Sequence, residues 1–167
     1  MSVKFQVKMT TKVMYQFLIH YTYTQVGGII GTAFGGISLG IGIHEWGLGE
    51  YSFGLICFAF ALIFLVMPPI TLRGKAKKQV VDSGLLDVVI DYEVAEEGIT
   101  TTQGDSVSKL KWEELSKAVT TNNSIIVYIT KVHVFIFPKK DLGEQYIAVV
   151  NMISTHMPPD KVNLKSA

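Results

Sequence analysis

Two stretches without a single formal charge, residues 24–43 (TQVGGIIGTAFGGISLGIGI) and 51–70 (YSFGLICFAFALIFLVMPPI), constrain this chain more than any other feature. A helix rises about 1.5 Å per residue and the hydrocarbon core of a bilayer is about 30 Å thick, so each stretch supplies the roughly 20 residues a crossing helix needs. From 25 to 72 the only formal charges are Glu45 and Glu50, both in the connector 44–50, HEWGLGE. That connector is long enough only for a reversal, so the two helices are expected to run antiparallel. A soluble core hairpin rarely needs two successive uncharged runs of this length. A cleaved signal peptide is disfavoured, because the first apolar run begins only near residue 24 and a second follows it. The expectation is an α+β membrane protein whose residues 24–70 form a transmembrane helical hairpin.

Composition agrees: charged residues make up 17% of the chain, against about 25% in an ordinary soluble domain. A net charge of +1 gives no field that would draw nucleic acid. Cys57 is the single cysteine, so no intrachain disulfide forms, and its apolar neighbours make it an inert small hydrophobe. Lys4, Lys8 and Lys12 precede the first span, Arg73, Lys75, Lys77 and Lys78 follow the second, and the connector has neither lysine nor arginine. Positive residues stay on the cytoplasmic side, which predicts a multi-pass protein of the cell membrane with both termini cytoplasmic. Tyr21, Tyr23, Trp46 and Tyr51 fall at the predicted interfaces, where amphipathic rings settle.

The first span is rich in glycine, and Gly27, Gly31, Gly35, Gly36 and Gly40 carry the four-residue spacings that make a helix-packing groove. That groove serves either the second span of the same chain or a docking helix from a second copy or another membrane protein. The second span is rich in Phe and Leu and supplies knobs for such a groove. Pro68 and Pro69 should end or kink it.

Outside the hairpin the chain reads as four segments. Residues 1–23 open with an alternating strand, SVKFQVKM, that must pair with something downstream, followed by a helix capped by Thr10 or Thr11 that runs up to or into the first span. Residues 71–84 form a basic juxtamembrane helix ending at Gly84. Residues 85–157 turn to a period of two: Val88, Ile90, Tyr92 and Val94 share one strand face, GITTTQ and SVSKLKW follow across turns, and a fourth strand starts near Leu115. The last two strands, from Ile125 and Val132, are apolar on both faces and should be central or covered. After Pro138, Asp141 and Glu144 are placed as a reciprocal helix cap, and Leu142, Tyr146, Val149, Val150, Ile153 and Met157 form one apolar stripe. The result is a curved antiparallel sheet closed by a C-terminal helix, with residues 158–167 as a polar tail.

Residues 91–157 carry a run of landmarks: Tyr92, Gly98-Ile99, a turn at Gly104, Lys111-Trp112-Glu113-Glu114-Leu115, then Phe137-Pro138-Lys139 and the final helix. In this order, behind an N-terminal strand and two spans, they resemble the YcxB-like family of bacterial membrane proteins. The resemblance implies a split domain similar to the bacterial PH-like fold, with the N-terminal strand joining the sheet and the hairpin inserted between. It carries over no catalytic residue. The glycine-rich first span departs from the family pattern.

The chain offers little reaction chemistry. His20, His44, His133 and His156 share no metal-ligand spacing, and His44-Glu45 fails as a zinc motif because Leu48 stands where the second histidine belongs. His133, facing opposite to Val132 and Val134, reads as a satisfied sheet histidine. Glu96-Glu97 sits in a turn, Glu113-Glu114 follows a core tryptophan, and no serine lies in a nucleophile elbow. No catalytic, cofactor-binding or metal-ligating residue is assigned, no cofactor is expected and the chain is not read as an enzyme; an enzyme would need a deep polar pocket. The leading expectation is a membrane-anchored, non-catalytic interaction module, regulatory or protective in the manner of bacteriocin or toxin immunity. Its partners are the lipid bilayer and another membrane protein, a peptide or a second copy, met at a sheet edge, the final helix or the glycine groove. The alternative is binding of anionic lipid headgroups at the inner leaflet through Arg73, Lys75, Lys77 and Lys78, with Lys139 and Lys140 as further candidates.

Overall fold

A computed structural model of the chain describes residues 2–86, 88–130 and 133–164. The fold is α+β and divides into two compact units, one holding the chain up to Val13 together with the chain from Gly84 onward, the other Met14–Ser83.

In the first unit, alternation decides the first sheet. β1 (Val3–Lys8) buries Val3, Phe5 and Val7 and pairs antiparallel with β2 (Val89–Ala95), placing Phe5 opposite Tyr92. The polar halves of the two strands pair on the other face: Lys4 Nζ lies 3.5 Å from Glu93 Oε1, and Gln6 Nε2 donates to Asp91 Oδ1 at 2.8 Å. β3 (Gly98–Gln103) and β4 (Ser106–Lys111) complete a meander in the order β1-β2-β3-β4. Gly98 has φ +143, and a Cβ there would run into the Leu110 carbonyl, so only glycine starts β3.

The single curved sheet expected from the sequence is in fact two. Trp112–Glu114 forms a 3₁₀ turn, and Glu114 Oε2 accepts the Lys111 N–H at 2.7 Å, which takes the chain out of the first sheet before the next strand begins. β5 (Lys117–Thr120), β6 (Ser124–Tyr128), β7 (Val134–Pro138) and β8 (Val162–Asn163) form the second sheet, in the order β7-β6-β5-β8. β8 runs parallel to β5, so residues expected in a polar tail extend the sheet; Lys165 to Ala167 of that tail lie outside the described residues. β6 is interior, but β7 is an edge strand with Val134 and Phe135 half-buried, and its expected start at Val132 lies outside the described residues. His133 is exposed and stands just before β7 rather than in the strand. Its N–H donates to Thr130 Oγ1 at 3.0 Å, and its Nδ1 lies 3.2 Å from the same oxygen.

The two sheets and the final helix share one core. Phe5, Tyr92 and Phe137 meet with ring centroids 4.9 to 5.6 Å apart, and Phe135 adds a further edge contact to Tyr92 at 5.6 Å. α5 (Lys139–Leu142) and α6 (Tyr146–His156) are separated by a 3₁₀ turn at Gly143–Gln145. The expected stripe of Leu142, Tyr146, Val149, Val150, Ile153 and Met157 is buried. The expected reciprocal cap does not form. Pro138 already starts α5 at Lys139, so Asp141 falls inside the helix beside Lys140 (3.6 Å), and neither helix has a side-chain cap. Trp112 anchors the junction: Nε1 donates to the Ala95 and Glu96 carbonyls at 3.1 and 3.0 Å, and the indole stacks on His156 at 5.2 Å.

At the end of the first unit's N-terminal segment, Thr10 Oγ1 accepts the Val13 N–H at 3.3 Å; α1 (Thr11–Thr24) begins there, carries the chain into the second unit and stops where Gln25 is extended. α2 (Val26–Gly47) continues a turn past the apolar run, because nothing in His44-Glu45-Trp46 opposes a helix. The reversal therefore narrows from 44–50 to Leu48, Gly49 and Glu50, with Gly49 at φ +86. α3 (Tyr51–Leu65) ends ahead of Pro68 and Pro69, which cannot donate to the Phe64 and Leu65 carbonyls. α4 (Met67–Asp82) absorbs both prolines in its first turn and carries the basic segment up to Gly84.

Burial pushes the Tyr92 hydroxyl up to about 12 from an ordinary value of 10.0. A raised folded-state pKa means stability that is present below pH 10 and lost as pH rises through 12, worth roughly 3 kcal/mol at order of magnitude. Tyr92→Phe should flatten that loss: equilibrium unfolding followed between pH 9 and 12 should show a smaller decline for the variant than for the parent chain, and parallel curves would refute the assignment.

Candidate functional site

Two regions bear on function, and each is built from one unit alone. In the helical unit, α2 and α3 meet along a seam of small side chains. α2 buries Gly35, Ser38 and Gly42, and α3 buries Gly54, Cys57 and Ala61. A Cβ on Gly35 would come within 2.8 Å of Leu65 Cδ2, and one on Gly42 within 2.9 Å of Phe58 Cε1. Above the seam Trp46 packs on Tyr51 and Phe58 at 5.0 and 5.8 Å, and Phe34 meets Phe64 at 5.1 Å lower down.

The structure divides the five glycines read as a groove. Gly31 and Gly35 face α3, whereas Gly27, Gly36 and Gly40 face open space. Sequence reasoning followed the four-residue glycine spacing and passed over Ser38, Gly42, Gly54, Cys57 and Ala61. Their signal is the same in both helices: small residues separated by three and then four, the interval that holds one helix face toward a partner.

Two helices are long and apolar enough to cross a membrane, Val26–Gly47 and the rod Tyr51–Asp82 that is interrupted at Val66, and only 17% of each apolar window is buried. Ile30, Ile37 and Ile43 on α2 and Leu55, Leu62 and Ile63 on α3 are all more than half exposed. On α4, Leu72, Ala76 and Val80 are buried one turn apart, and Arg73, Lys75, Lys77 and Lys78 occupy the exposed side. In the β unit, Lys139 Nζ lies over the Tyr146 ring at 5.2 Å and Lys140 Nζ lies 3.6 Å from Asp141 Oδ1.

In the β unit an open depression of about 390 Å³ lies on the outer face of the first sheet, lined by Lys4, Gln6, Asp91, Glu93, Thr100 and Thr102. Its polar groups are already engaged with one another, Lys4 with Glu93 in an ion pair and the Gln6 amide with Asp91 in a hydrogen bond. The N–H and C=O groups along the outer edge of β4 are the feature next to it that invites a partner.

Residues 94–153 match the family model described as YcxB-like protein. The YcxB-like stretch starts at Val94 near the end of β2 and closes within α6, so it takes in Trp112, β3 to β7 and most of the apolar helix stripe, but neither β1, most of β2 nor β8. α1 to α4 lie outside it. The chain matches no curated protein and no solved structure.

Substitution of the two glycine faces should separate them. Gly35→Leu and Gly42→Leu should each force the hairpin apart and speed maleimide labelling of the buried Cys57 in detergent micelles several-fold, while Gly36→Leu and Gly40→Leu should leave the labelling rate unchanged. Equal rates across all four variants would contradict the seam.

Proposed function

We propose that this chain is a membrane-anchored, non-catalytic interaction module: α2 and α3 cross the cell membrane as a hairpin, both chain ends lie on the cytoplasmic side, and the β unit is a split PH-like domain that docks another polypeptide. The observation that carries this reading is the distribution of apolar residues in the hairpin. Small side chains fill its interior while Ile, Leu and Phe point outward. A water-soluble protein rarely exposes a contiguous apolar patch beyond a few hundred Å². Lipid tails cover such a surface at no cost, and helices in lipid associate by close packing of small residues. The PH-like assignment is supported by two sheets and a C-terminal helix around one core and by the YcxB-like match within them. Protection against a membrane-active toxin or bacteriocin is one use that a module of this shape serves, by analogy.

The orientation is tested by single cysteines in a Cys57→Ala background. Leu48→Cys in the reversal should react with a membrane-impermeant maleimide on intact cells, and Asp105→Cys in the β3–β4 turn only after permeabilisation. The opposite pattern overturns the orientation, and release of the protein by alkaline carbonate overturns membrane insertion.

A second reading is favoured by α4, whose four basic side chains are all exposed beside its buried Leu72, Ala76 and Val80. Arg73, Lys75, Lys77 and Lys78 would then hold anionic headgroups at the inner leaflet, each contributing about 1 kcal/mol near a charged surface. Replacing all four with Gln should reduce the phosphatidylglycerol that co-purifies with the protein relative to phosphatidylethanolamine, and the difference should shrink as salt is raised. Unchanged lipid ratios would rule it out.

A further inference from the structure

The open edges of the two sheets are unequal. β1 has α5 against it, β8 is two residues long, and β7 is buried over Ile136, Phe137 and Pro138. β4 is six residues long, and all of them are exposed except the half-buried Leu110. Its register settles which backbone groups face outward. Gln103 and Ser106 close the two-residue turn at Gly104-Asp105, so they form a hydrogen-bonded pair, as do Thr101 with Ser108 and Ile99 with Leu110. Val107, Lys109 and Lys111 therefore turn their N–H and C=O groups away from β3. The Lys111 N–H is taken by Glu114 Oε2, which agrees with this direction, and the N–H groups of Val107 and Lys109 remain without a protein partner among the described residues.

We propose that β4 is a docking strand, which takes up an extended acidic segment of another polypeptide as a fifth strand of the first sheet. This deepens the interaction-module reading and rests on it. The backbone supplies the attraction common to strand addition, and the side chains choose the partner. Val107, Lys109 and Lys111 share one face. Along the cross-strand row that ends at Lys109 stand Thr100, Glu93 and Lys4, and Glu93 is already paired with Lys4, so no carboxylate in that row among the described residues is left to neutralise Lys109. Lysines on an edge disfavour a second copy, because antiparallel β4 strands would set Lys109 and Lys111 against their own kind. The same lysines meet carboxylates at alternate positions of an incoming strand, and exposed Val107 offers that strand an apolar contact.

The test uses the full chain in nanodiscs and two labelled eight-residue peptides, one alternating Glu with Thr and Val and its counterpart alternating Lys. The acidic peptide should bind and slow hydrogen exchange at the Val107 and Lys109 amides at least tenfold; the lysine peptide should do neither. Lys109→Pro removes an outward N–H that β3 does not use, and should weaken acidic-peptide binding at least tenfold with thermal unfolding unchanged. The double variant Lys109→Glu with Lys111→Glu keeps every backbone donor and should transfer the preference to the lysine peptide. Absence of protection by the acidic peptide, an unchanged preference in the double variant, or protection that grows with protein concentration in the absence of peptide would each overturn the proposal, the last in favour of a second copy. Failure here with the cysteine-labelling pattern intact leaves the anchored-module reading standing, whereas failure of that pattern removes the reading whatever the peptides do.

Discussion

The contact among Phe5, Tyr92 and Phe137 ties this structure together. Each ring comes from a different part of the chain: the N-terminal strand, the first strand after the helical segment, and the edge strand of the second sheet. Without Phe5 and its neighbours Val3 and Val7, β1 would have no apolar face to bury and β2 would lose one of its two antiparallel partners. The pairing has to close over about 80 intervening residues, but closure entropy grows only as the logarithm of loop length, about 0.6 kcal/mol for each doubling. Aromatic pairs contribute about 0.5–1.5 kcal/mol each beyond the area they bury. A few such contacts therefore offset a long insertion, and a β unit interrupted by helices remains one unit.

Trp112 makes the same kind of connection at the opposite side of the first sheet. Its indole N–H satisfies two carbonyls at the β2–β3 turn, while its ring stacks on His156 near the end of α6. The 3₁₀ turn in which it sits is what separates one sheet into two. A single residue thus fixes the turn of the first sheet, the departure of the chain toward the second and the seat of the closing helix, which is consistent with its place inside the YcxB-like stretch.

Much of this was legible in the sequence because the governing patterns are local. Alternation in SVKFQVKM identified β1 and its need for a partner, and the stripe from Leu142 to Met157 identified the buried face of the last helix. The misses arise where a non-local or conformational choice overrides pattern. β7 looks as apolar as β6, yet its place at an edge is set by which strand it pairs with and not by composition. The expected cap at Asp141 was displaced because Pro138 begins the helix earlier, and β8 escaped notice because two residues carry no periodicity. The hairpin seam was visible only in part: glycine spacing revealed Gly35 and its neighbour Gly31, whereas Ser38, Cys57 and Ala61 are small without being glycine, and Gly42 and Gly54 have no glycine four residues away.

The two units obey opposite packing rules, and that contrast bears on what each was built to meet. In the β unit the interior holds Phe137, Ile99, Leu115 and Ile125 and the surface holds lysine, glutamate and threonine, which is the order water imposes. In the hairpin the interior holds Gly, Ser, Ala and Cys and the surface holds Ile, Leu and Phe. Burial from water cannot explain that arrangement, since the largest apolar groups would be the ones left outside. Close approach of two backbones can, provided the medium around them is itself apolar. The inversion supports the membrane-anchored reading more strongly than helix length does, because length alone is shared by buried helices of soluble proteins. It also separates the two kinds of partner open to the chain: an apolar one around α2 and α3, where hydrogen bonds are complete within each helix, and a polar one at β4, where backbone donors are still free.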